Sequence, residues 1–330
     1  MNPRWGPLRS FLCSMLWRIG FCVALAGAAI LAVEVIRRIT EPPEPLVDVI
    51  QKRAEIAPQN GPSGELRNKL RFAVSTMVSA GETFSTYRQF VHRISRDIGR
   101  EEVFVVRPSY EAVRLALTRG EVDVAFAGTG TCIRGIEDRT IKLLVQPEFD
   151  RNREYRSLLL VPSESRFQRL EDLQNKVMAF TDRESFTGCL LPSASLMEYG
   201  QEPDRFFRKV IYTGSHDRSI LAVSTKAVDA ASVMSLVWLS MLEKQPSLAK
   251  RARILWQSKI YGPPAIAIPL DLDDGLAEAL RKTLLSLHED EEGRKILAVI
   301  GIKRFVPAQV KSYDDAMELH RRYEDWLSKR

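Results

Sequence analysis

Short apolar strand patterns alternate with helical patterns from residue 70 onward, and this alternation restricts the fold more than any other feature. Residues 70–75, 103–106 and 122–127 are typical of buried strands, and segments of helical length separate them. Ser79 and Glu82 have the spacing of a capping box before the first of these helices. Strands that alternate with helices in this way predict βαβ units and a largely parallel sheet.

A second series of strands and helices begins near residue 155 and ends in a hinge-like Gly-Pro-Pro segment, residues 262–264. A further strand pattern at 265–268 and three helical patterns complete the chain. Because the chain leaves one unit and later returns to it, we expect an α/β fold of two lobes that bends at a hinge around a ligand. The predicted boundaries are 66–152 and 262–330 for the first lobe and 153–261 for the second.

Residues 1–40 are predicted to direct the chain to a membrane or across it. Residues 19–36 are apolar except for one glutamate, and a run of this length is near the lower limit for a membrane span. The alternatives are an uncleaved signal anchor, a cleaved signal peptide, since residues 24–26 resemble a cleavage site, and a buried helix of the fold. Either of the first two places the folded part in the periplasm, anchored to the inner membrane if the segment is retained. Residues 41–65 contain several prolines and glycines and predict a semi-rigid spacer.

Two of the strand patterns end in small, hydroxyl-rich turns that contain glycine. The first turn consists of Gly128, Thr129, Gly130, Thr131 and Cys132, and the second contains Ser185, Thr187, Gly188 and Cys189. Turns of this kind expose backbone N–H groups and hydroxyls, and a helix that begins there adds partial positive charge. Ligands of open α/β sheets lie at the carboxyl ends of strands, where both turns and Ser75 fall. The pattern therefore predicts a cleft for a small oxyanion.

Composition argues against several other functions. The net charge of +6 is mild for 330 residues, and Lys and Arg are scattered, so no nucleic-acid partner is expected. The sequence has no G-x-S-x-G, H-E-x-x-H, Walker or G-x-G-x-x-G motif in the context that each needs. Its four histidines have no metal-ligand spacing. We therefore expect a non-catalytic protein without a metal or a cofactor.

Several segments together resemble the phosphonate-type periplasmic binding proteins of ABC transporters. The resembling segments, in order and spacing, are 70–74, 120–126, 180–188, 206–217 and 222–231. The resemblance implies a type II periplasmic binding protein fold whose interlobe cleft holds a phosphonate, a phosphate or a phosphite. It matches Ser185, Thr187 and Gly188 to the turn that holds the phosphonate oxygens. It also matches His216 to the family's histidine and residues 128–131 to the strand-end loop of the first lobe.

Other side chains near these segments are candidates for the cleft. His216 begins a predicted helix beside Asp217; a neutral or charged imidazole there can donate to an anion, and the adjacent carboxylate favours the charged form. The alternative for this pair is a surface cluster that caps the helix. Tyr87 and Tyr155 are further candidates, since each adjoins a matched element. The hydroxyls of the second turn could equally form an ordinary helix cap.

Both turns depart from the family pattern. Cys132 stands where an aromatic residue is common, and the second turn lacks one hydroxyl of the usual Ser-Thr-Ser-Gly because Phe186 precedes Thr187. Cys132 and Cys189 have three interpretations: buried residues, a disulfide, or thiol ligands for a soft ligand such as arsenite. The partner is also open. An ABC permease fits uptake of the anion, whereas a membrane-tethered ligand sensor would signal to a two-component histidine kinase.

Overall fold

Residues 68–150 and 153–330 are described by the computed structural model of this protein. The predicted anchor, residues 1–40, and the predicted spacer, residues 41–65, lie outside the described residues. Within the described ranges, none of the helices combines the length and the apolar character that a membrane crossing requires.

The first part of the described chain alternates strands with helices. Its elements are β1 (Lys69–Val74), α1 (Ala80–Asp97), β2 (Glu101–Val106), α2 (Tyr110–Thr118), β3 (Val124–Ala127), α3 (Thr129–Glu137) and β4 (Ile141–Glu148). The Ser109 side chain caps α2 by accepting a hydrogen bond from the Ala112 amide at 3.1 Å, as its position before that helix predicts.

The chain then crosses to a second sheet. Its elements are β5 (Ser157–Pro162), a 3₁₀ turn (Leu170–Leu173), β6 (Val177–Phe180), a π-helical turn (Phe186–Leu190), α4 (Leu191–Ser195), a 3₁₀ turn (Leu196–Tyr199), α5 (Pro203–Phe206), β7 (Lys209–Tyr212), α6 (His216–Ser224), β8 (Ala230–Met234), α7 (Ser235–Lys244), α8 (Pro246–Ala249) and β9 (Ala252–Gln257).

The last part of the chain returns to the first sheet. Its elements are β10 (Ala265–Pro269), α9 (Asp274–Ser286), α10 (Glu291–Val299), β11 (Arg304–Pro307), a 3₁₀ turn (Val310–Tyr313) and α11 (Asp314–Ser328). Helix α11 contacts α3 in the first lobe and α4 in the second.

Each sheet is mixed, so the expectation of a largely parallel sheet is wrong. The first sheet has the order β11–β4–β10–β3–β1–β2, and the second has the order β7–β6–β8–β5–β9. In the first sheet β10 runs antiparallel to β3 and β4, and in the second β5 runs antiparallel to β8 and β9. Strand β11 also runs antiparallel to β4. Strands β5 and β10 each follow a crossing between the lobes, and a connection of that kind does not require the parallel pairing of a βαβ unit.

The two crossings between the lobes lie side by side. The Tyr261 amide donates to the Tyr155 carbonyl at 3.2 Å, and the Ser258 amide donates to the Ser157 carbonyl at 2.9 Å. Arg156 Nη1 adds a hydrogen bond to the Ser258 carbonyl at 2.6 Å. A pair of adjacent crossings of this kind is a common form of hinge between two lobes.

Separate aromatic clusters fix the strand ends that carry the site. In the first lobe the Phe72 and Phe90 rings pack edge to face at 5.7 Å, and the Phe126 ring lies 6.2 Å from that of Phe305. In the second lobe Phe180, at the end of β6, packs against Phe206 and Phe207. Burial of one such side chain contributes about 1.5–3 kcal/mol, so the loops that follow these strands start from rigid positions.

Two local predictions differ from the structure. The Ser79 side chain makes no capping hydrogen bond to α1, so the predicted capping box does not form. The helix expected to begin at the second turn is not continuous but consists of a π-helical turn, a short α-helix and a 3₁₀ turn. Pro192 contributes to this break, because proline has no backbone N–H for a helical hydrogen bond.

Candidate ligand-binding site

The predicted site residues come together where the carboxyl ends of the strands in the two lobes face each other. Six of their side chains are at most 1 % exposed: Ser75, Thr129, Thr131, Ser185, Thr187 and His216. At Gly130, a Cβ atom would lie 1.7 Å from the Glu184 carbonyl oxygen. Only glycine permits this approach, so the first-lobe turn and the second-lobe turn are in direct contact.

His216 is a neutral hydrogen-bond donor that faces this region. The Met234 amide donates to His216 Nδ1 at 3.0 Å, which leaves the imidazole proton on Nε2. Burial lowers the pKa of His216 to about 3, so the ring is uncharged at neutral pH. Its Nε2 lies 3.5 Å from Ser185 Oγ and 3.5 Å from the Tyr110 hydroxyl oxygen.

Of the neutral and the charged imidazole that the sequence allows, the structure favours the neutral one, and Asp217 does not offset the effect of burial. The Asp217 carboxylate lies in the other direction, where Oδ1 accepts from the Ser215 hydroxyl at 2.5 Å and from the Ser79 amide at 2.9 Å. Residues that are adjacent in sequence at the start of a helix point about 100° apart, and this rotation separates the two side chains.

The second-lobe turn combines a helix cap with a free hydroxyl. Ser185 Oγ accepts from the Gly188 amide at 3.1 Å, which is the ordinary capping role. A Cβ atom at Gly188 would lie 1.9 Å from Thr181 Oγ1, so the turn requires glycine there. Thr187 Oγ1 is buried and has no hydrogen-bond partner, while the Thr187 carbonyl accepts from Ser157 and Ser232. A buried hydroxyl without a partner is available for a ligand.

Most hydroxyls of the first-lobe turn already have protein partners. Ser75 Oγ accepts from the Gly128 amide at 3.2 Å, and Thr129 Oγ1 donates to the Gly262 carbonyl at 2.9 Å. Thr131 Oγ1 donates more weakly to the Tyr110 carbonyl at 3.4 Å. These three side chains hold the turn in place, and they are less available to a ligand than Thr187.

Sequence reasoning missed two residues of this region. Tyr110 is 2 % exposed, and its ring lies so close to Gly128 that a Cβ atom there would be 2.2 Å from Cε1. Thr76 follows Ser75, and its buried hydroxyl has no hydrogen-bond partner. The only local signal at Tyr110 is its place after the helix cap Ser109, and that signal does not reveal which way the ring points.

The two predicted tyrosines are buried in different surroundings. Tyr155, on the first crossing between the lobes, is 4 % exposed. Burial raises its pKa well above the usual range, and the neighbouring Thr129 and Thr187 hydroxyls oppose this shift only in part. The Tyr87 ring packs against Phe126 at 5.7 Å within the first lobe. Tyr155 thus adjoins the turns as a protonated hydroxyl, whereas Tyr87 lies in the aromatic core.

Cys132 and Cys189 are free thiols, and the structure does not contain the disulfide that was one alternative. Cys132 Sγ donates to the Ala127 carbonyl at 3.6 Å, and Cys189 belongs to the apolar core of the second lobe. Burial raises the pKa of each thiol to about 12. Thiol ligands bind as thiolates, so these positions favour the interpretation as small buried residues.

Ser185 and His216 do not form a nucleophile and base. A general base must accept the serine proton, but the nearer ring nitrogen, Nε2, already carries a hydrogen. The opposite nitrogen accepts from a backbone amide rather than donating to a carboxylate. The arrangement suits binding through hydrogen bonds and does not support acyl or phosphoryl transfer.

The carboxylates beside the site are all engaged with the first lobe. Asp182 Oδ2 accepts from the Tyr110 amide at 3.3 Å, and Asp217 accepts from the Ser79 amide. Glu184 forms a two-pronged ion pair with Arg114, with Nη2 and Nε 2.9 and 3.1 Å from Oε1. None of these three carboxylates is left unpaired.

The sequence matches one family of transport proteins. The sequence model of the family described as "ABC transporter, phosphonate, periplasmic substrate-binding protein" matches residues 72–313. A probable ABC transporter phosphite-binding protein, PhnD1 of Prochlorococcus marinus, is 25% identical over 250 residues, which cover 72% of this chain and 83% of the relative.

Solved structures show the same fold. The binding-protein component of an ABC phosphonate transporter from Pseudomonas aeruginosa gives a TM-score of 0.73 at 20% identity, covering 78% of this chain and 87% of that one. PhnD1 of Prochlorococcus marinus in complex with methylphosphonate gives 0.69 at 22% identity, covering 78% and 98%. The expectation of a two-lobed, type II periplasmic binding protein fold is confirmed.

Proposed function

Because the chain belongs to the phosphonate family of ABC transporter periplasmic substrate-binding proteins, we propose that it binds a small phosphorus oxyanion between its lobes for uptake. Members of this family bind a substrate without transforming it. The proposal rests mainly on three polar groups that meet in a buried region. His216 Nε2 lies 3.5 Å from both Ser185 Oγ and the Tyr110 hydroxyl oxygen.

The chemistry of these groups favours an anion. His216 Nε2 and the tyrosine hydroxyl are neutral donors in a region closed to water, where a hydrogen bond to a charged acceptor is stronger than one between neutral groups. Helices α3 and α6 both begin at the site, so their amino ends add partial positive charge. The buried Thr187 hydroxyl supplies a further donor.

The charges around the site favour an oxyanion without an amine. An ammonium group needs a carboxylate partner in a buried site. Asp182, Glu184 and Asp217 are already paired with N–H groups or with Arg114 of the first lobe. Phosphite, methylphosphonate and phosphate fit this environment, whereas 2-aminoethylphosphonate does not.

Ligand binding and lobe closure belong to one step in this proposal. The second-lobe turn and His216 bind one side of the anion, while Tyr110 and the first-lobe loops bind the other. Hinge movement at the paired crossings brings these halves together and excludes water. The interlobe contacts at Gly130 and Glu184 support a closed form of this kind.

Isothermal titration calorimetry of the full chain, stripped of bound ligand by unfolding and refolding, tests the proposal. Phosphite, methylphosphonate and phosphate are expected to bind, and 2-aminoethylphosphonate is expected to bind at least about tenfold more weakly, since its ammonium would lack a partner. Arsenite and sulfate serve as comparison anions. Binding of none of the phosphorus oxyanions would contradict the proposed function.

We also propose that residues 1–40 retain the protein at the inner membrane. The apolar run and its flanking arginines support a signal anchor. Cell fractionation followed by mass determination of the mature chain tests this proposal. A soluble periplasmic product that lacks these residues would contradict it.

Uptake and sensing are separated by a gene deletion. Loss of growth on the bound anion as sole phosphorus source is expected for uptake. Normal growth together with the loss of an anion-dependent transcriptional response would instead support the sensor alternative.

A further inference from the structure

Asp217 connects the site to the opposite lobe. It is the second residue of α6, and its Oδ1 accepts from the Ser79 amide of the first lobe at 2.9 Å. Ser79 precedes α1, and its own side chain makes no cap to that helix. The amino end of α1 therefore receives its carboxylate from the second lobe, in a contact that favourable charge–dipole interaction strengthens.

The same turn of α6 also faces the ligand region. The His216 amide donates to the Met77 carbonyl of the first lobe at 3.1 Å, while the His216 imidazole lies beside Ser185 and Tyr110. One short segment thus carries a ligand-facing group and two contacts that exist only when the lobes meet.

The second-lobe turn has a parallel arrangement. Asp182 Oδ2 accepts from the Tyr110 amide at the start of α2, while Oδ1 accepts from the Glu184 amide within the turn at 2.8 Å. Glu184 then pairs with Arg114 in α2. Both ligand-facing segments of the second lobe therefore bring a carboxylate to the amino end of a first-lobe helix.

We propose that Asp217 is a positioning residue that sets ligand affinity by stabilising the closed form, without touching the ligand. The inference rests on the proposed function, because it assigns an affinity role within that binding cycle. When the lobes separate, Asp217 and the Ser79 amide return to water, so their hydrogen bond favours only the closed state. The apparent affinity of a ligand that needs the closed state falls with the fraction of molecules in that state.

The test compares Asp217→Ala with Asp229→Ala. Asp229 is a matched control, because its Oδ2 also accepts from a backbone amide, that of Val177 at 2.7 Å, but within the second lobe. Methylphosphonate is titrated by calorimetry, and its dissociation rate is measured by stopped flow. We expect Asp217→Ala to raise Kd about tenfold, mainly through faster dissociation, and Asp229→Ala to leave Kd within about twofold.

A measurement without ligand separates this inference from the proposed function. Small-angle X-ray scattering of the ligand-free proteins is expected to give a larger radius of gyration for Asp217→Ala than for the wild type and Asp229→Ala. Asp217→Asn keeps an acceptor oxygen and should lie between them. If no phosphorus oxyanion binds the wild type, the proposed function fails while the scattering comparison still decides the closure role. An unchanged radius of gyration in Asp217→Ala would overturn the inference.

Discussion

His216 presents its single ring proton to the site because the Met234 amide occupies the other ring nitrogen. This hydrogen bond fixes both the orientation of the ring and its tautomer, in the manner that the partners of functional histidines commonly do. The donor therefore keeps the same form throughout the neutral pH range, and its binding contribution does not depend on protonation.

Acid should destabilise the protein through His216. The folded-state pKa is about 3, and the unfolded-state value is about 6.5, so between these pH values the unfolded chain binds a proton that the folded chain does not. The free energy of unfolding should therefore fall as the pH drops below about 6.5, by up to about 1.4 kcal/mol per pH unit from this group. Urea unfolding of the wild type and of His216→Gln at pH 7 and 5 measures this difference. Equal pH dependence in both proteins would contradict the assignment.

Thr187→Val tests the role of the Thr187 hydroxyl, because it removes the hydroxyl and keeps the size and shape of the side chain. Thr187→Val should weaken oxyanion binding about tenfold or more, since one donor is lost. The ligand-free stability should change by less than about 1 kcal/mol, because only a weak contact with the Tyr155 hydroxyl is lost. Thr83→Val is the control: its hydroxyl donates to the Val78 carbonyl at 2.9 Å, so stability should fall by about 1 kcal/mol with Kd unchanged. Calorimetry and urea unfolding give both quantities.

For single residues, the sequence could identify the types of side chain at the site but not their hydrogen-bond partners. Ser75, Thr129 and Thr187 have the same pattern of small hydroxyl residues in turns, yet only Thr187 has a buried hydroxyl without a partner. The distinction depends on the Gly128 amide and the Gly262 carbonyl, which lie far away in sequence. Tyr110 was missed for the same reason, since its ring direction follows from contact with the opposite lobe.

Helix α3 depends on glycine for its function rather than for its stability. Gly130 lies in the first turn of this helix, where alanine would be the better helix former by about 1 kcal/mol. The glycine is required because the Glu184 carbonyl of the other lobe lies where a Cβ atom would be. The helix therefore gives up some intrinsic stability to allow a close approach between the lobes.

Gly130→Ala should consequently weaken ligand binding without weakening the fold. The added methyl group disfavours the closed form, so Kd should rise about tenfold or more, while the folded open form has no such clash and keeps its stability. Gly81→Ala, in α1, is the control because its Cβ would meet nothing within 4 Å. Thermal unfolding and calorimetry distinguish the two variants. An unchanged Kd in Gly130→Ala would show that the closed contact is not part of binding.

The elements that sequence reasoning missed share a physical cause. Helix α3 begins with Thr, Gly and Thr, which are weak helix formers, so the local pattern favours a loop. Its helical form comes instead from packing against β4 and α2. By contrast α6 begins at His216, where the sequence predicts that a helix begins.

The molecule as a whole should respond to ligand as one cooperative unit. The proposed ligand contacts both lobes, and α11 also contacts both, so neither lobe can unfold without disturbing the site. At a methylphosphonate concentration of about 100 times Kd, the free energy of unfolding should rise by about 2.7 kcal/mol. Urea unfolding at several ligand concentrations measures this rise, and Thr187→Val at the same concentrations should show a smaller one. A ligand-independent midpoint would contradict the proposed site.

The two side-by-side crossings make the second lobe an exchangeable cassette. The Tyr155 carbonyl and the Tyr261 amide are 3.2 Å apart, so the segment between them starts and finishes at the same point of the molecule. Exchange of that segment with the matching part of a related protein would replace the Ser185 turn and His216 together. The Tyr110 and Gly130 side would stay as it is. Chimeras of this kind would therefore show which lobe determines ligand preference, because each exchange replaces the site residues of one lobe only.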